Sequence, residues 1–216
     1  MSALCFYEGS MDYNLDQTNT DLAINELQNF LNAYPNSEKS KNINELIDEL
    51  TYKLEFKAYE NAKQYYKIAD YKAANVAFDN VLNDFPSTKL RSKIYDYILK
   101  SRYELALNSV YDLKKDRIEN ALSFAKQAER EMPNTDIAKT ASDLKTKLLK
   151  AKEDFLVLEK KVDERKKELF DKQKTEEARI NAEKDLKNAE KNSEQIKRDS
   201  AAQATPSPAA TFKIQK

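Results

Sequence analysis

Residues 74–88 have the sequence ANVAFDNVLNDFPST, in which an alanine precedes a proline by twelve residues. The same spacing occurs at two other places in the chain. The three pairs are Ala23 with Pro35, Ala74 with Pro86, and Ala121 with Pro133. A large apolar residue stands before each proline and two polar residues follow it. The chain of 216 residues has only five prolines and one glycine, so this fixed spacing predicts a repeat architecture.

Each repeat is predicted to contain a helix that ends at its proline. Ala74 and Phe78 begin an apolar pattern with the period of one helical face. Pro86 ends that helix because it cannot donate the next backbone hydrogen bond. In the preceding helix, Ala62 is predicted to lie where the two helices cross, with Tyr65 in the core beside it. Paired helices with a small residue, an aromatic residue and a terminal proline resemble the tetratricopeptide repeat, which implies an all-α solenoid of helical hairpins.

That repeat normally has about 34 residues, whereas these prolines are 51 and 47 residues apart. Since the intervening segments lack Gly and Pro, we interpret the surplus as a longer first helix in each hairpin. The predicted helices are residues 2–9, 20–33, 38–68, 71–84, 88–110, 117–131 and 136–198. The first hairpin opens midway, so we expect a fragment of a longer protein or a late assigned start.

The last third of the chain has a different pattern. Apolar residues alternate in steps of four and three, which is a heptad pattern. They are Leu144, Leu148, Ala151, Phe155, Leu158, Val162 and Leu169, with Arg165 in the same series. Mixed charges follow, and the prolines near the end are typical of disorder. We therefore predict a tetratricopeptide-like domain over residues 1–140, a long charged helix over residues 141–199, and a disordered tail over residues 200–216.

Composition excludes several classes of function. Basic and acidic residues balance at 37 each, so no overall positive field would attract nucleic acid. The chain has no histidine, one cysteine and one glycine, which removes the commonest catalytic base, a Cys/His pair and a glycine-rich phosphate loop. We therefore predict that the protein is not an enzyme and binds no metal or cofactor. No apolar run is long enough to span a bilayer.

The N-terminal segment shows no signal for export. Residues 1–5 have neither a basic stretch nor an apolar one, so no signal peptide is predicted in this chain. Cys5 lacks the hydrophobic segment that precedes a lipid-attachment cysteine, and we predict that it is buried in a helix. Residues 1–50 have two lysines against nine carboxylates, which suggests a polar partner surface or simply a soluble one.

The candidate binding groove is the outward face of the long helix predicted at residues 38–68. In a tetratricopeptide-like hairpin this face lines the concave surface, and helical spacing from Ala62 selects its members. The candidate groove residues are Phe56, Tyr59, Lys63, Tyr66 and Lys67. Aromatic rings and lysines on one face are suited to an apolar side chain and a carboxylate of a bound peptide. Lysines that only keep the helix soluble are the alternative.

Several short stretches carry a more specific resemblance. They are LDQTNT at residues 15–20, YPNS at 34–37, IDEL at 47–50, KAY at 57–59, DYKAA at 70–74 and YELA at 103–106. Over about residues 1–140 the chain resembles the BamD family of outer-membrane assembly factors, above all the forms found in Bacteroidetes-type bacteria. The resemblance implies a periplasmic lipoprotein of the β-barrel assembly machinery. Its implied partners are the periplasmic domains of the barrel-forming subunit and unfolded outer-membrane proteins.

The remaining repeats look like the later ones of that family, which are associated with the barrel-forming subunit.

Two other functions stay open. One is a generic peptide-binding tetratricopeptide adaptor outside any membrane complex, and the other is a coiled-coil organiser in which residues 144–199 carry the function. An upstream signal peptide ending in a lipid-attachment cysteine would favour the assembly factor over the adaptor. Light scattering on the isolated tail would test the organiser.

Overall fold

The computed structural model describes residues 2–203, with side-chain surroundings for residues 3–198. This part of the chain forms helical hairpins and contains no strand, which confirms the predicted all-α class. The helices are α1 (Ser2–Glu8), α2 (Thr18–Ala33), α3 (Ser40–Lys67), α4 (Tyr71–Asp84), α5 (Arg91–Leu107), α6 (Tyr111–Glu131) and α7 (Asp136–Gln203).

The turn between α5 and α6 differs from the prediction. Helix α5 ends at Leu107 instead of residue 110, and α6 begins at Tyr111 instead of residue 117. The side-chain amide of Asn108 donates to the Glu104 carbonyl at 3.0 Å, so a polar side chain satisfies the last turn of α5. Val110 is extended, with φ −62° and ψ 155°, and this separates the two helices without glycine or proline. Helix α7 ends at Gln203 instead of residue 198, so residues 200–203 of the predicted disordered tail are helical, and residues 204–216 of that tail lie outside the described residues.

The residue before each repeat proline adopts one backbone conformation three times. The φ and ψ angles are −133° and 63° at Tyr34, −126° and 70° at Phe85, and −128° and 56° at Met132. Each of these residues donates its N–H to the carbonyl four residues earlier, at 2.8, 2.9 and 3.0 Å respectively. The following proline disfavours helical ψ at the residue before it, so the helix ends there each time.

A hydroxyl after each proline then accepts a backbone N–H near the start of the next helix. The donors to Ser37, Thr88 and Thr135 are the N–H groups two, two and three residues later, at 3.3, 3.1 and 3.3 Å. Such side chains satisfy N–H groups that a helix start leaves without a carbonyl partner. Thr88 also donates to Glu55 Oε2 at 2.7 Å, which ties the α4–α5 turn to α3.

The repeat alanines lie inside the packed helices. Ala23 and Ala74 are 0% exposed and Ala121 is 3% exposed. Ala62 of α3 is likewise 0% exposed and belongs to the same core cluster as Ala74 and Phe78. A methyl side chain at these positions leaves room for the neighbouring helix, while Phe78 fills the adjacent volume.

The chain divides into two compact units, of which the first is Met1–Leu156. Within it, the start of α7 packs against α6. Leu148 and Phe155 are 1% and 5% exposed and share a core cluster with Ile118 and Leu122. The first part of the heptad pattern therefore forms core of this unit.

Ion pairs flank that core cluster. Lys145 donates to Glu129 Oε1 at 2.6 Å, and Lys152 donates to Glu119 Oε1 at 3.0 Å. Both pairs join α7 to α6, and they lie at the edge of the contact, where their side chains are partly exposed. Such pairs contribute little to stability, about 0–1 kcal/mol, so the apolar side chains account for most of the packing energy.

The second unit begins at Val157. In it Leu158 and Leu169 are each 49% exposed and Phe170 is 65% exposed. Ion pairs at helical spacing line the surface of α7, including Arg165 with Glu168 at 3.2 Å. The later part of the heptad pattern is thus solvent-exposed in this unit.

Cys5 corrects one prediction, because it is exposed instead of buried. Helix α1 has seven residues and packs through Ala3, Phe6 and Tyr7 onto the cluster around Ala23. A helix this short buries one narrow face, and Cys5 lies outside it.

None of the described helices combines the length and the apolar character needed to cross a membrane.

Candidate binding groove on α3 and α5

A continuous set of aromatic rings covers one face of α3 and the adjoining face of α5. We call Phe56, Tyr59 and Tyr66 of α3, together with Tyr97 of α5, the aromatic row. Ring centroids are 6.1 Å apart for Phe56 and Tyr59, 6.1 Å for Tyr59 and Tyr97, and 5.1 Å for Tyr66 and Tyr97. These distances suit edge-to-face and tilted contacts, which hold the rings in place. Phe56, Tyr66 and Tyr97 remain partly exposed.

Two aromatic residues of α3 differ from the prediction in how deeply they are buried. Tyr59, predicted in the groove, lines it but is 5% exposed and belongs to the core, whereas Tyr65, predicted in the core, is 43% exposed. Both flank Ala62 at three residues, one before it and one after it. Helix α5 packs on the side of α3 that carries Tyr59, and its Tyr97 covers the Tyr59 ring. Tyr59 is therefore buried, while Tyr65, on the other side of Ala62, stays outside this contact. Tyr65 instead borders a depression at the start of α4, beside Ala73 and Val76.

The two predicted groove lysines also differ from each other. Lys63 Nζ lies 2.7 Å from Glu60 Oε1 and 5.5 Å from the centre of the Tyr59 ring. The Glu60 carboxylate raises the pKa of Lys63 and partly neutralises its charge. Lys63 is therefore a paired cation at the groove margin, while Lys67 is exposed. A carboxylate of a partner would have to compete with Glu60 for Lys63.

An open depression of about 400 Å³ adjoins the aromatic row, and we call it the α3–α5 groove. Three elements line it, namely α3, α5 and the start of α7. Its lining residues are Tyr59, Ser92, Lys93, Asp96, Tyr97, Asp136, Ile137 and Thr140. Apolar ring surface thus lies beside two carboxylates and a lysine, a mixture that can hold a peptide through side-chain packing and hydrogen bonds.

Burial determines the chemistry of the tyrosine at the base of this groove. Burial, followed by the influence of Tyr97 and Glu60, raises the pKa of Tyr59 to about 12. Burial also raises the pKa of Tyr66. Both hydroxyls therefore stay protonated at neutral pH, where they serve as hydrogen-bonding groups and not as bases.

The acidic members of the groove were not found from the sequence. Asp96 lies 2.6 Å from Lys100, and Asp136 lies 3.0 Å from Lys139. The helical spacing of Lys93, Asp96 and Lys100 was visible as a polar face of α5. No local sequence pattern, however, shows that this face adjoins the aromatic row of α3.

Among the residues that the structure describes, no cluster of carboxylates and thiol groups is arranged as metal ligands would be.

These features define a class of protein: an all-α protein of helical hairpins with an open groove of mixed apolar and charged lining. The family model of the outer membrane lipoprotein YfiO matches residues 1–118, and the chain belongs to that family. The matched region runs from α1 into α6, so it includes the aromatic row and most of the α3–α5 groove. No curated protein matches the chain.

Proposed function

We propose that this chain is a BamD-type, Bacteroidetes-type scaffold of the machinery that assembles β-barrel proteins in the outer membrane. The family match over residues 1–118 carries the proposal. The tetratricopeptide-like repeats would position the chain at the periplasmic face of the outer membrane, against the periplasmic domains of the barrel-forming subunit. Unfolded outer-membrane proteins are the proposed second class of ligand.

The α3–α5 groove and the adjoining aromatic row together are the proposed contact surface for the barrel-forming subunit. Partly exposed rings of Phe56, Tyr66 and Tyr97 supply apolar area with little side-chain entropy to lose. Asp96 and Lys93 supply charges of both signs at the margin, which would select the orientation of a partner more than its affinity. The proposal therefore assigns binding to the rings and orientation to the charges.

We also propose that the protein is not an enzyme and uses no cofactor. The absence of histidine from the sequence supports this, since it removes the residue most often used to transfer protons near neutral pH.

A binding experiment with two charge-matched variants tests the scaffold proposal. The full chain is titrated by calorimetry with the periplasmic domains of the barrel-forming subunit from the same organism. Lys63→Glu with Lys67→Glu should weaken binding by an amount that shrinks at high salt, because exposed charges are screened. Lys126→Glu with Arg130→Glu makes the same change in net charge at exposed positions of α6, which does not line the groove, and should bind as the unaltered chain does. No binding by the unaltered chain would refute the scaffold role, and equal affinities of both variants would remove the face of α3 that carries Lys63 and Lys67 from the contact surface.

One observation favours a second function, that of a coiled-coil organiser. Leu158 and Leu169 belong to the heptad pattern, and each is 49% exposed in the second unit. Self-association would cover them. Light scattering on the full chain, with Leu158→Glu and Leu169→Glu as the variant, tests this: a mass above that of a monomer that falls in the variant would support the organiser, and a monomer in both would refute it.

A further inference from the structure

The heptad pattern of α7 continues beyond Leu169 as a regular pattern of charge. In a coiled coil, the first and fourth residues of each heptad, called a and d, face the neighbouring helix. Leu169 takes an a position and Leu186 a d position, and they are 49% and 66% exposed. The three a positions after Leu169 hold glutamate, and the three d positions before Leu186 hold arginine or lysine. We call these leucines and charged residues together the charged heptad face; its glutamates are Glu176, Glu183 and Glu190, and its basic residues are Arg165, Lys172 and Arg179.

The charged heptad face is exposed along its whole length in the second unit. Arg179 lies 3.4 Å from Glu176, and Lys187 lies 2.8 Å from Glu183, so ion pairs within α7 hold part of it. The side chains of these pairs are each more than half exposed, which leaves room for a second partner on the same charges. The two leucines add apolar surface to the same face, and removing it from water would favour contact with another helix.

A parallel copy of the same helix does not fit this face. In a parallel pair in register, each a residue faces the same a residue, and each d residue faces the same d residue. Glu176, Glu183 and Glu190 would therefore each face an identical glutamate, and the basic d positions would each bring two cations together. Like charges that face each other destabilise a pair of helices, so the charge pattern argues against the parallel arrangement.

An antiparallel copy fits this face in one register. In this orientation a residues face d residues, and a two-fold axis makes each facing pair occur twice. A shift by one heptad would place Leu169 against Arg179 in one direction, or Leu186 against Glu176 in the other. In the unshifted register every layer is matched: Leu169 faces Leu186, Glu176 faces Arg179, Glu183 faces Lys172, and Glu190 faces Arg165 of the second copy.

We propose that residues 165–190 of α7 bind the same segment of a second copy of this chain in that antiparallel register. The inference deepens the coiled-coil organiser proposed above and rests on it. The leucine pairs exclude water, while the opposite charges set the orientation and the register more than the affinity. At the flank of the contact, Lys166 would lie near Lys187 of the second copy, and this repulsion predicts a dimer that dissociates on dilution.

Spin labels on the full chain distinguish the two orientations. Asp163→Cys and Glu177→Cys, at exposed positions beside the charged heptad face, are made in separate chains that also carry Cys5→Ser, so that each has one thiol to label. Labels at residue 177 lie at nearly the same level of both helices in either orientation, so they should be close. Labels at residue 163 should be about 44 Å apart along the axis of the antiparallel pair, from the helical rise per residue, and close in a parallel one. Double electron–electron resonance measures both distances.

A charge exchange tests the register, with sedimentation over a range of concentrations as the measure of dimerisation. Glu183→Lys should weaken the dimer about tenfold, because two symmetric layers each exchange an attraction for a repulsion against Lys172. Adding Lys172→Glu to the same chain should restore it, since the two layers are then matched again. Glu177→Lys makes the same change in net charge beside the face and should leave dimerisation unchanged.

The possible outcomes separate this inference from the organiser itself. A monomer at every concentration would refute both. A dimer whose labels are close at residue 163 as well as at residue 177 would refute the antiparallel pairing and leave the organiser in place. A dimer that Lys172→Glu does not restore would refute the register. A long distance at residue 163, a short one at residue 177 and restoration by the double exchange would together support the inference.

Discussion

Replacing Ala74 with leucine should destabilise the first unit by overfilling a helix crossing. Ala74 is 0% exposed, and it shares its core cluster with Ala62 and Phe78, each also 0% exposed. A leucine adds three carbon atoms where the neighbouring helices leave no room. In an open site those atoms would instead stabilise the fold, by about 0.8 kcal/mol for each buried CH₂. The sign of the change therefore reports directly on the packing.

Overpacking of a filled core costs about 1–3 kcal/mol of unfolding free energy. For a unit of this size each kcal/mol lowers Tm by about 2–4 °C, so we expect Ala74→Leu to lower Tm by about 2–12 °C. Circular dichroism at 222 nm during heating measures the change, and urea unfolding gives the free energy independently.

An exposed alanine supplies the matched control. Ala178 lies on the exposed surface of α7, and Ala178→Leu should leave the unfolding midpoint unchanged, because the two residues have similar helix propensities. A midpoint for Ala74→Leu that is equal to or above that of the unaltered protein would refute the close crossing of α3 and α4 at this residue.

Three further predictions concern the turns, the tail and pH. Thr88→Val should lower the free energy of unfolding by about 1–2 kcal/mol in urea titrations, because it removes a buried hydroxyl that is bonded on both sides, whereas Thr88→Ser should retain most of it. Deleting residues 171–216 should leave the Tm of the first unit unchanged, while deleting residues 144–216 should lower it markedly by exposing the apolar face of α6; equal Tm values would contradict the docking of α7. Glu131 has a lowered pKa in the folded state, chiefly through a hydrogen bond from a tyrosine, so its stabilising effect is present above its unfolded pKa and is lost as pH falls through the folded value. The Tm difference between the unaltered protein and Glu131→Gln should therefore be largest near pH 7 and shrink below about pH 4; a difference that is constant with pH would contradict this.

The ends of the helices were largely predictable from the sequence because they depend on local chemistry. Pro86 lacks an N–H and restricts Phe85, and these effects act whatever the rest of the chain does. The turn after α5 was placed wrongly because it has no such residue. There, Asn108 and the extended Val110 end one helix and begin the next, and both residue types also occur inside helices.

The candidate groove was only partly predictable. Helical spacing placed Phe56, Tyr66 and Lys67 on one face of α3, and the structure leaves them partly or fully exposed there. The same spacing placed Tyr65 in the core beside Ala62 and Tyr59 in the groove, whereas Tyr59 is the buried one. Their environments differ because α5 covers only one side of that alanine, and a single-helix pattern contains no information about the side.

The sequence by itself determined that this protein is a series of helical hairpins with buried alanines and proline-terminated helices. It could do so because helix period, proline geometry and hydroxyl capping involve residues within a few positions of one another. Only the tertiary structure decided which charges meet which rings across helices, as with Arg102 between Asp79 and Phe124. Contacts such as that of Arg102 join residues more than twenty positions apart, and they follow from how helices pack and not from the pattern within any one helix.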